Sequence, residues 1–196
     1  MVLRALRHFT SHPEVAHVVL VLPPGQSAAP PPFLKDLATE DLTLADGGAE
    51  RSDSVAAGLA ALSADCSVVL VHDAARPFVE AAVIDAVIRE ARSGVAAVAA
   101  VPVTDTIKEV SADDRRVLRT VPRERLWRAQ TPQGFPRALL VEAHDRAQRA
   151  GVSATDDAAL VERLGAFVVV VPDSPRNVKI TTPEDLAWAE AWAKPE

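Results

Sequence analysis

Polar and charged side chains follow two valine-rich stretches of the sequence, at the point where each stretch ends. Val68–Val71 leads into Asp73 and Arg76, and the stretch that ends at Val101 leads into Thr106. In open α/β sheets, ligands bind beyond the carboxyl ends of the strands, so these side chains are candidates for a site. For the first segment taken alone, the alternative is an ion pair in a surface turn.

A second group of candidate residues lies in the C-terminal half of the chain. Arg123 comes shortly before Thr131, and Lys179 follows Asn177. Arg presents a planar fork to phosphate oxygens and Lys a compact charge, so both types suit the recognition of an anionic, phosphate-bearing substrate. The alternative is ordinary surface decoration, because most Arg and Lys side chains are solvated.

A glycine pair, Gly47 and Gly48, opens a helical pattern that contains Ser54. Two glycines let the backbone approach a ligand, and the free N–H groups of a helix start favour anions. The alternative is a tight turn in which Ser52 or Asp53 caps the helix.

Another polar segment, Thr155–Asp157, is interpreted as a helix start, with Thr155 or Asp156 as the N-cap. The five histidines are scattered without cysteine partners, so a structural transition metal is not expected. No Gly-x-Ser-x-Gly or Gly-x-Gly-x-x-Gly occurs, so serine hydrolysis and dinucleotide redox chemistry lack support.

The elements that must position these residues are short apolar strands separated by amphipathic helices. One helical stripe, Ile84, Val87, Ile88 and Ala91, falls at i, i+3, i+4 and i+7. This alternation predicts a doubly wound, mostly parallel α/β sheet of the Rossmann-like type. The runs that predict strands are Val18–Leu22, Val68–Val71, Val95–Val101 and Phe167–Val171.

One excursion from this pattern is predicted. Thr106–Val110 and Val117–Val121 flank a charged stretch, which indicates a β-hairpin. We expect residues 106–126 to form an arm that makes dimer contacts. The whole chain, residues 1–196, is expected to be a single domain, since 196 residues suffice for one sizeable core.

Composition excludes several classes of partner. The 27 acidic and 21 basic residues give a net charge of -6, which repels nucleic acid. The longest uncharged apolar stretch is about ten residues, short of the ~20 that span a bilayer. The N-terminal segment reads as an amphipathic helix and not as a secretory signal, so a cytoplasmic location is expected.

Five motifs in a fixed order resemble those of the 2-C-methyl-D-erythritol 4-phosphate cytidylyltransferases, and the resemblance covers nearly the whole chain. They are Gly47-Gly48-x-x-Arg51-x-x-Ser54-Val55, His72-Asp73-Ala74-Ala75-Arg76-Pro77-Phe78, Pro102-Val103-x-Asp105-Thr106-Ile107-Lys108, Arg123-x-x-Leu126-Trp127-x-x-Gln130-Thr131-Pro132-Gln133 and Asn177-x-Lys179-x-Thr181-x-Pro183-Glu184-Asp185-Leu186.

The resemblance implies a nucleotidyltransferase of the non-mevalonate isoprenoid pathway. Such an enzyme transfers CMP from CTP to the phosphate of 2-C-methyl-D-erythritol 4-phosphate, with Mg²⁺ as the divalent cation and release of pyrophosphate. The related ribitol 5-phosphate cytidylyltransferases share the fold and much of the motif order, so they are the alternative. A non-catalytic homologue that keeps the fold is another.

The resemblance also implies roles for individual residues. The catalytic pair that positions the attacking phosphate would be Arg123 and Lys179, with Arg123 reaching across a homodimer on the arm. The residues implied for binding the nucleotide are Gly47, Gly48, Ser54, Asp73 and Ala74, and those implied for the sugar-alcohol phosphate are Asp73, Arg76, Thr106 and Thr131.

One part of the family pattern has no counterpart here. Family members begin with a strand and a Gly-rich loop containing an Arg, followed by a Pro-Lys, whereas this sequence starts at the helix that comes next. We therefore expect a sheet without one central strand, and a working protein that extends upstream of Met1. Losing one preorganised charge stabiliser costs about 10² to 10³ in rate, so the 196-residue chain should be nearly inactive.

Overall fold

Strands and helices alternate along the chain in the computed structural model, which describes residues 1–35 and 41–193. The strands are β1 (Val18–Leu22), β2 (Leu42–Asp46), β3 (Val68–Val71), β4 (Ala96–Pro102), β5 (Ile107–Val110), β6 (Val117–Val121), β7 (Trp127–Pro136) and β8 (Val168–Pro172). The helices are α1 (Val2–Thr10), α2 (Pro32–Lys35), α3 (Arg51–Ala61), α4 (Ala81–Arg92), α5 (Arg137–Ala150), α6 (Asp157–Glu162) and α7 (Pro183–Ala193).

The larger sheet has the strand order β3-β7-β4-β8. The four predicted strand runs become β1, β3, β4 and β8, and the parallel pairs β1–β2 and β4–β8 confirm the α/β prediction. Strand β7 runs antiparallel to both β3 and β4 and was not predicted. It carries buried Gln130, Thr131 and Gln133 instead of a continuous apolar run, so periodicity could not identify it.

Strands β1 and β2 form a separate two-stranded sheet, because β1 does not pair with β3 among the described residues. Between β1 and β3 lies a largely apolar slot with a volume of about 720 Å³. Its walls include β1, β3, the inner faces of α1 and α3, and the side chains of Leu6, Phe9 and Leu59. This interruption agrees with the expectation that the sheet lacks a central strand.

Helix α4 packs its predicted stripe against the larger sheet, where Ile84 and Val87 are fully buried. On α5 the buried residues are Leu140, Ala143 and His144, and Leu139 and Ala147 pack against the same core. His144 is thus a polar side chain on a largely apolar helix face.

The predicted hairpin is present as β5 and β6, which pair antiparallel. Its side chains are mostly exposed, and they include the apolar residues Val110, Val117 and Leu118. The arm therefore projects an apolar surface that the described residues do not cover. Within the described ranges, none of the helices has the length and apolar character needed to cross a membrane.

Candidate active site

Asp73, which follows β3, lies at the centre of a cluster of positive charge. Its Oδ2 atom is 2.9 Å from Nζ of Lys179 and 3.8 Å from Nε of Arg76, and its Oδ1 atom is 3.9 Å from Nε of Arg51. Arg51 is also paired with Asp157, so the three cations share two carboxylates and one positive charge is in excess. A partly enclosed site of this kind attracts anions.

His72 and Thr131 fix the backbone around Asp73. Oγ1 of Thr131 accepts a hydrogen bond from the Asp73 N–H at 3.0 Å and lies 3.0 Å from Nδ1 of His72. Nε2 of His72 lies 3.0 Å from the carbonyl oxygen of Arg76, which can only accept, so Nε2 carries the proton and Nδ1 accepts from Thr131. Burial lowers the pKa of His72 to about 4, which keeps the ring neutral.

Asn177 ties the segment that carries Lys179 to the rest of the site. Its fully buried side chain donates to the carbonyl oxygen of Thr131 at 2.8 Å and to Asp173 Oδ2 at 2.6 Å. Its own carbonyl oxygen accepts from Arg76 at 2.7 Å. These bonds explain how Lys179, far along the chain, comes to face Asp73.

The glycine pair forms a tight turn before α3. The N–H of Gly48 donates to Oγ of Ser54 at 3.3 Å. A Cβ on Gly48 would lie 2.2 Å from Cβ of Asp53, and one on Gly47 would lie 2.6 Å from Oγ of Ser54, so neither position has room for a side chain. The N-cap is Glu50, and Asp53 accepts from its N–H at 3.0 Å, so the expected cap at Ser52 or Asp53 is shifted by a few residues.

Arg51 connects this turn with the Asp73 cluster. It is the first residue of α3, and its guanidinium lies beside Asp73. Arg51, Ser54, Asp73 and Ala74 line the same cavity, the slot between β1 and β3. The structure therefore brings together two groups of predicted site residues that are separated in the sequence.

Two predicted residues lie elsewhere. Thr106 is exposed just before β5, and Arg123 is exposed after β6, where its guanidinium donates to the carbonyl oxygen of Thr104. Within residues 1–35 and 41–193, no hydrogen bond or ion pair joins either residue to Asp73. Both belong to the arm.

Three buried polar residues were not predicted as part of the site. Asp157 lies 2.7 Å from Arg51 and is almost fully buried. Gln133 donates to Asp156 Oδ2 at 2.9 Å and accepts from the N–H of Ala158. Asn177 appeared only as a member of a motif. Of the two predicted N-caps, Thr155 and Asp156, the structure has Asp156. That prediction did not indicate that the next residue, Asp157, contacts Arg51.

The comparisons with known proteins agree over nearly the whole chain. The family model described as "IspD: 2-C-methyl-D-erythritol 4-phosphate cytidylyltransferase" matches residues 1–194. The enzyme of that name from Salinibacter ruber is 45% identical over 97% of this chain and 80% of its own length. The one from Desulforamulus reducens is 44% identical over 93% of this chain and 78% of its own.

Solved structures give the same result. The crystal structure of 2-C-methyl-D-erythritol 4-phosphate cytidylyltransferase from Thermus thermophilus is 42% identical and superposes with a TM-score of 0.83, covering 98% of this chain and 88% of that one. The 4-diphosphocytidyl-2C-methyl-D-erythritol synthase from Anaerococcus prevotii is 28% identical, with a TM-score of 0.88 over 97% of this chain and 84% of that one. The chain therefore belongs to the IspD family, the 2-C-methyl-D-erythritol 4-phosphate cytidylyltransferases.

Proposed function

We propose that this protein transfers CMP from CTP to the phosphate of 2-C-methyl-D-erythritol 4-phosphate, releasing pyrophosphate in the non-mevalonate isoprenoid pathway. The observation that carries the proposal is the cluster of Lys179, Arg76 and Arg51 around Asp73, beside the Gly47–Gly48 turn. Two anionic reactants must meet in this reaction, and the cluster supplies the positive charge for them. Membership of the family supplies the substrates.

The chemistry required of the side chains is mainly alignment and charge stabilisation. An oxygen of the sugar-alcohol phosphate forms a bond to the α-phosphorus of CTP, and the bond from that phosphorus to the bridging oxygen of pyrophosphate breaks. The attacking phosphate is already ionised, so no general base is needed. His72 fits this scheme, because both its ring nitrogens are engaged by Thr131 and Arg76.

The nucleotide is proposed to lie along the glycine turn. Gly47, Gly48 and Ser54 would hold the cytidine portion, with Asp73 and Ala74 beside it. Neither glycine has room for a Cβ, because Ser54 and Asp53 pack directly against them. The glycines thus allow the tight turn that sets Ser54 at the edge of the slot.

The sugar-alcohol phosphate is proposed to lie on the other side of Asp73. Arg76 and Thr131 would contact it, and Lys179 would position its phosphate for attack. Lys179 is 45% exposed, so it can exchange its contact with Asp73 for a ligand oxygen. Arg76 is more enclosed and is held by the carbonyl oxygen of Asn177.

Thr106 and Arg123 are proposed to complete the site from the partner subunit of a homodimer. Both lie on the arm, which carries exposed apolar side chains at Val117 and Leu118. A projecting hairpin with such a surface suits contact with a second copy of the chain. Arg123 would then act on the phosphate bound in the other subunit.

A divalent cation, Mg²⁺, is part of the proposal. No group of three potential metal-ligating side chains occurs within residues 1–35 and 41–193. Mg²⁺ commonly keeps several waters and binds substrate phosphates together with one or two carboxylates. Asp73 already faces three cations, so the nucleotide phosphates would take the place of most protein ligands, and the ion would neutralise charge on them.

The proposal treats residues 1–196 as one nucleotidyltransferase domain that works in the cytoplasm, where CTP is made. It is tested by mixing the protein, in excess, with CTP, Mg²⁺ and either 2-C-methyl-D-erythritol 4-phosphate or D-ribitol 5-phosphate. Mass spectrometry should detect CDP-methylerythritol in the first mixture. Product only in the second would assign the protein to the ribitol phosphate enzymes.

A non-catalytic homologue is the remaining alternative, and the interrupted sheet is the observation that favours it. Absence of product in both mixtures would support the non-catalytic protein, and so would a calorimetric titration that shows no binding of CTP.

A further inference from the structure

We propose that Asp157, supported by His144, is a positioning residue that holds Arg51 against Asp73 and so fixes the carboxylate of Asp73 in the nucleotide site. This inference rests on the proposed function only for the identity of the ligand. It is carried by a continuous line of polar contacts that runs from the core beneath α5 to the edge of the slot.

The inner end of this line is a buried pair of side chains. Nε2 of His144 lies 2.9 Å from Oδ1 of Asp157. Both residues are buried, Asp157 being only 1% exposed, and they come from different helices, α5 and α6. An ionised carboxylate in such a place is costly unless it is paired and hydrogen-bonded.

The pairing comes from Arg51. Its Nη2 atom lies 2.7 Å from Oδ2 of Asp157 as an ion pair, while Oδ1 has the hydrogen bond with His144. Burial raises the pKa of Asp157, but the hydrogen bond with His144 and the charge of Arg51 outweigh it and leave this pKa below its usual value. Asp157 therefore stays ionised at neutral pH and keeps its hold on Arg51.

The outer end of the line is set by the rigidity of the guanidinium. Its nitrogens lie in one plane, so fixing Nη2 on Asp157 also fixes Nε, which lies 3.9 Å from Oδ1 of Asp73. Arg76 and Lys179 approach Oδ2 of Asp73. Arg51 thus constrains the oxygen that these two cations leave free.

A purely structural role for Arg51 would be to neutralise Asp157 and nothing more. That role needs no second contact, yet the guanidinium spans the distance between the two carboxylates. The side-chain torsion of an Asp carboxylate is broad, so Asp73 would turn more freely without Arg51. A ligand that meets Asp73 would then lose a preorganised contact, and affinity for it would fall.

The test compares Asp157→Asn with two matched variants. Asp157→Asn keeps the size of the side chain and removes the charge, whereas Asp157→Glu restores the charge. Val161→Ala, in the same helix and also fully buried, destabilises the fold without touching Arg51. Each variant is titrated calorimetrically with CTP and Mg²⁺, and the Nε–H resonance of Arg51 is followed by NMR after assignment with Arg51→Lys.

We expect Asp157→Asn to weaken CTP binding about tenfold, a coupling within the usual range for contacting residues. The Arg51 resonance should shift or broaden in the same variant. Asp157→Glu should recover most of the affinity, and Val161→Ala should bind as the wild type does. If Asp157→Asn fails to fold, the double variant Asp157→Asn/Arg51→Met, which removes both charges, is compared with the single variant Arg51→Met. We expect these two variants to bind CTP with the same affinity.

Two results would overturn the proposal. The first is that Asp157→Asn binds CTP as tightly as the wild type. In the fallback comparison, the equivalent result is that the double variant binds CTP more weakly than Arg51→Met alone. The other is an equal loss of affinity in Val161→Ala, which would mean that only fold stability matters. Failure of the wild-type protein to bind CTP would refute the proposed function instead, and the Arg51 resonance would still report whether Asp157 holds this side chain.

Discussion

The ammonium group of Lys179 lies 2.9 Å from Oδ2 of Asp73. Asp73 follows β3 and Lys179 comes after β8, which are the two edge strands of the larger sheet. The contact depends on Asn177, whose side chain anchors the segment before Lys179 to β7. In the proposed reaction, Asp73 and Lys179 face different reactants. Their closeness places the nucleotide and the attacking phosphate side by side.

Replacing Lys179 with Ala should lower the rate of product formation by about 10² to 10³, because one preorganised cation is lost at the point where charge develops. The rate is measured as CDP-methylerythritol formed with enzyme in excess. Arg146→Ala serves as the control, since Arg146 is exposed on α5 and pairs with Glu142, away from Asp73. An unchanged rate in Lys179→Ala would remove Lys179 from the proposed mechanism.

Replacing Asn177 with Ala should destabilise the protein by about 3 kcal/mol, because two hydrogen-bonded groups in the interior lose their donor. These groups are the carbonyl oxygen of Thr131 and the carboxylate of Asp173. Urea unfolding measures the change. Ser93→Ala, which removes an exposed hydroxyl at the end of α4, should stay within about 0.5 kcal/mol of the wild type.

The buried histidine predicts a dependence of stability on pH. The pKa of His72 is about 4 in the folded protein, against 6.5 when unfolded, so the unfolded chain binds more protons between these values. Stability should therefore fall as pH decreases from 6.5 to 4, by up to about 3 kcal/mol. Below pH 4 this contribution should not change further.

The measurement is urea unfolding at several pH values for the wild type and for His72→Gln. The difference in free energy of unfolding between them should narrow as pH falls through this window, since Gln does not titrate. Parallel curves would show that His72 does not set the pH dependence.

The glycine turn is expected to be intolerant of any side chain. In Gly48→Ala the new Cβ would meet the Cβ of Asp53 at 2.2 Å, so the turn or the start of α3 must move. We expect CTP affinity to fall about tenfold and stability to fall by 1–3 kcal/mol, roughly the usual cost of overpacking. Ala49→Ser, at the exposed next residue, is the control. Normal CTP affinity in Gly48→Ala would place the nucleotide elsewhere.

How far the sequence predicts the structure depends on whether the signal is local. Strands β1, β3, β4 and β8 were predictable because each is a continuous apolar run. Strand β7 was not, since its buried Gln130, Thr131 and Gln133 form hydrogen bonds with distant partners that no local pattern reveals. Burying polar groups is tolerated only because those hydrogen bonds form.

The same reasoning separates the site residues. Asp73 and Arg76 stand at a strand end, so their position could be predicted, whereas Lys179 was a candidate by residue type and its role came from the family resemblance. Asp157 was interpreted only as part of a helix start, which is correct locally but does not reveal its ion pair with Arg51. The roles of Thr106 and Arg123 stay predictions, because they depend on a second subunit.

The arm would form the contact of the proposed homodimer. Leu118 on β6 is 58% exposed, and a leucine in contact with a second subunit would be covered there. Leu118→Asp should place a charge in that contact and shift the protein from dimer to monomer in sedimentation equilibrium. Phe167→Ser alters an even more exposed apolar residue outside the arm and should leave the dimer intact. If the wild type sediments as a monomer, or if Leu118→Asp remains dimeric, the arm does not form the contact that would bring Arg123 to the partner's site.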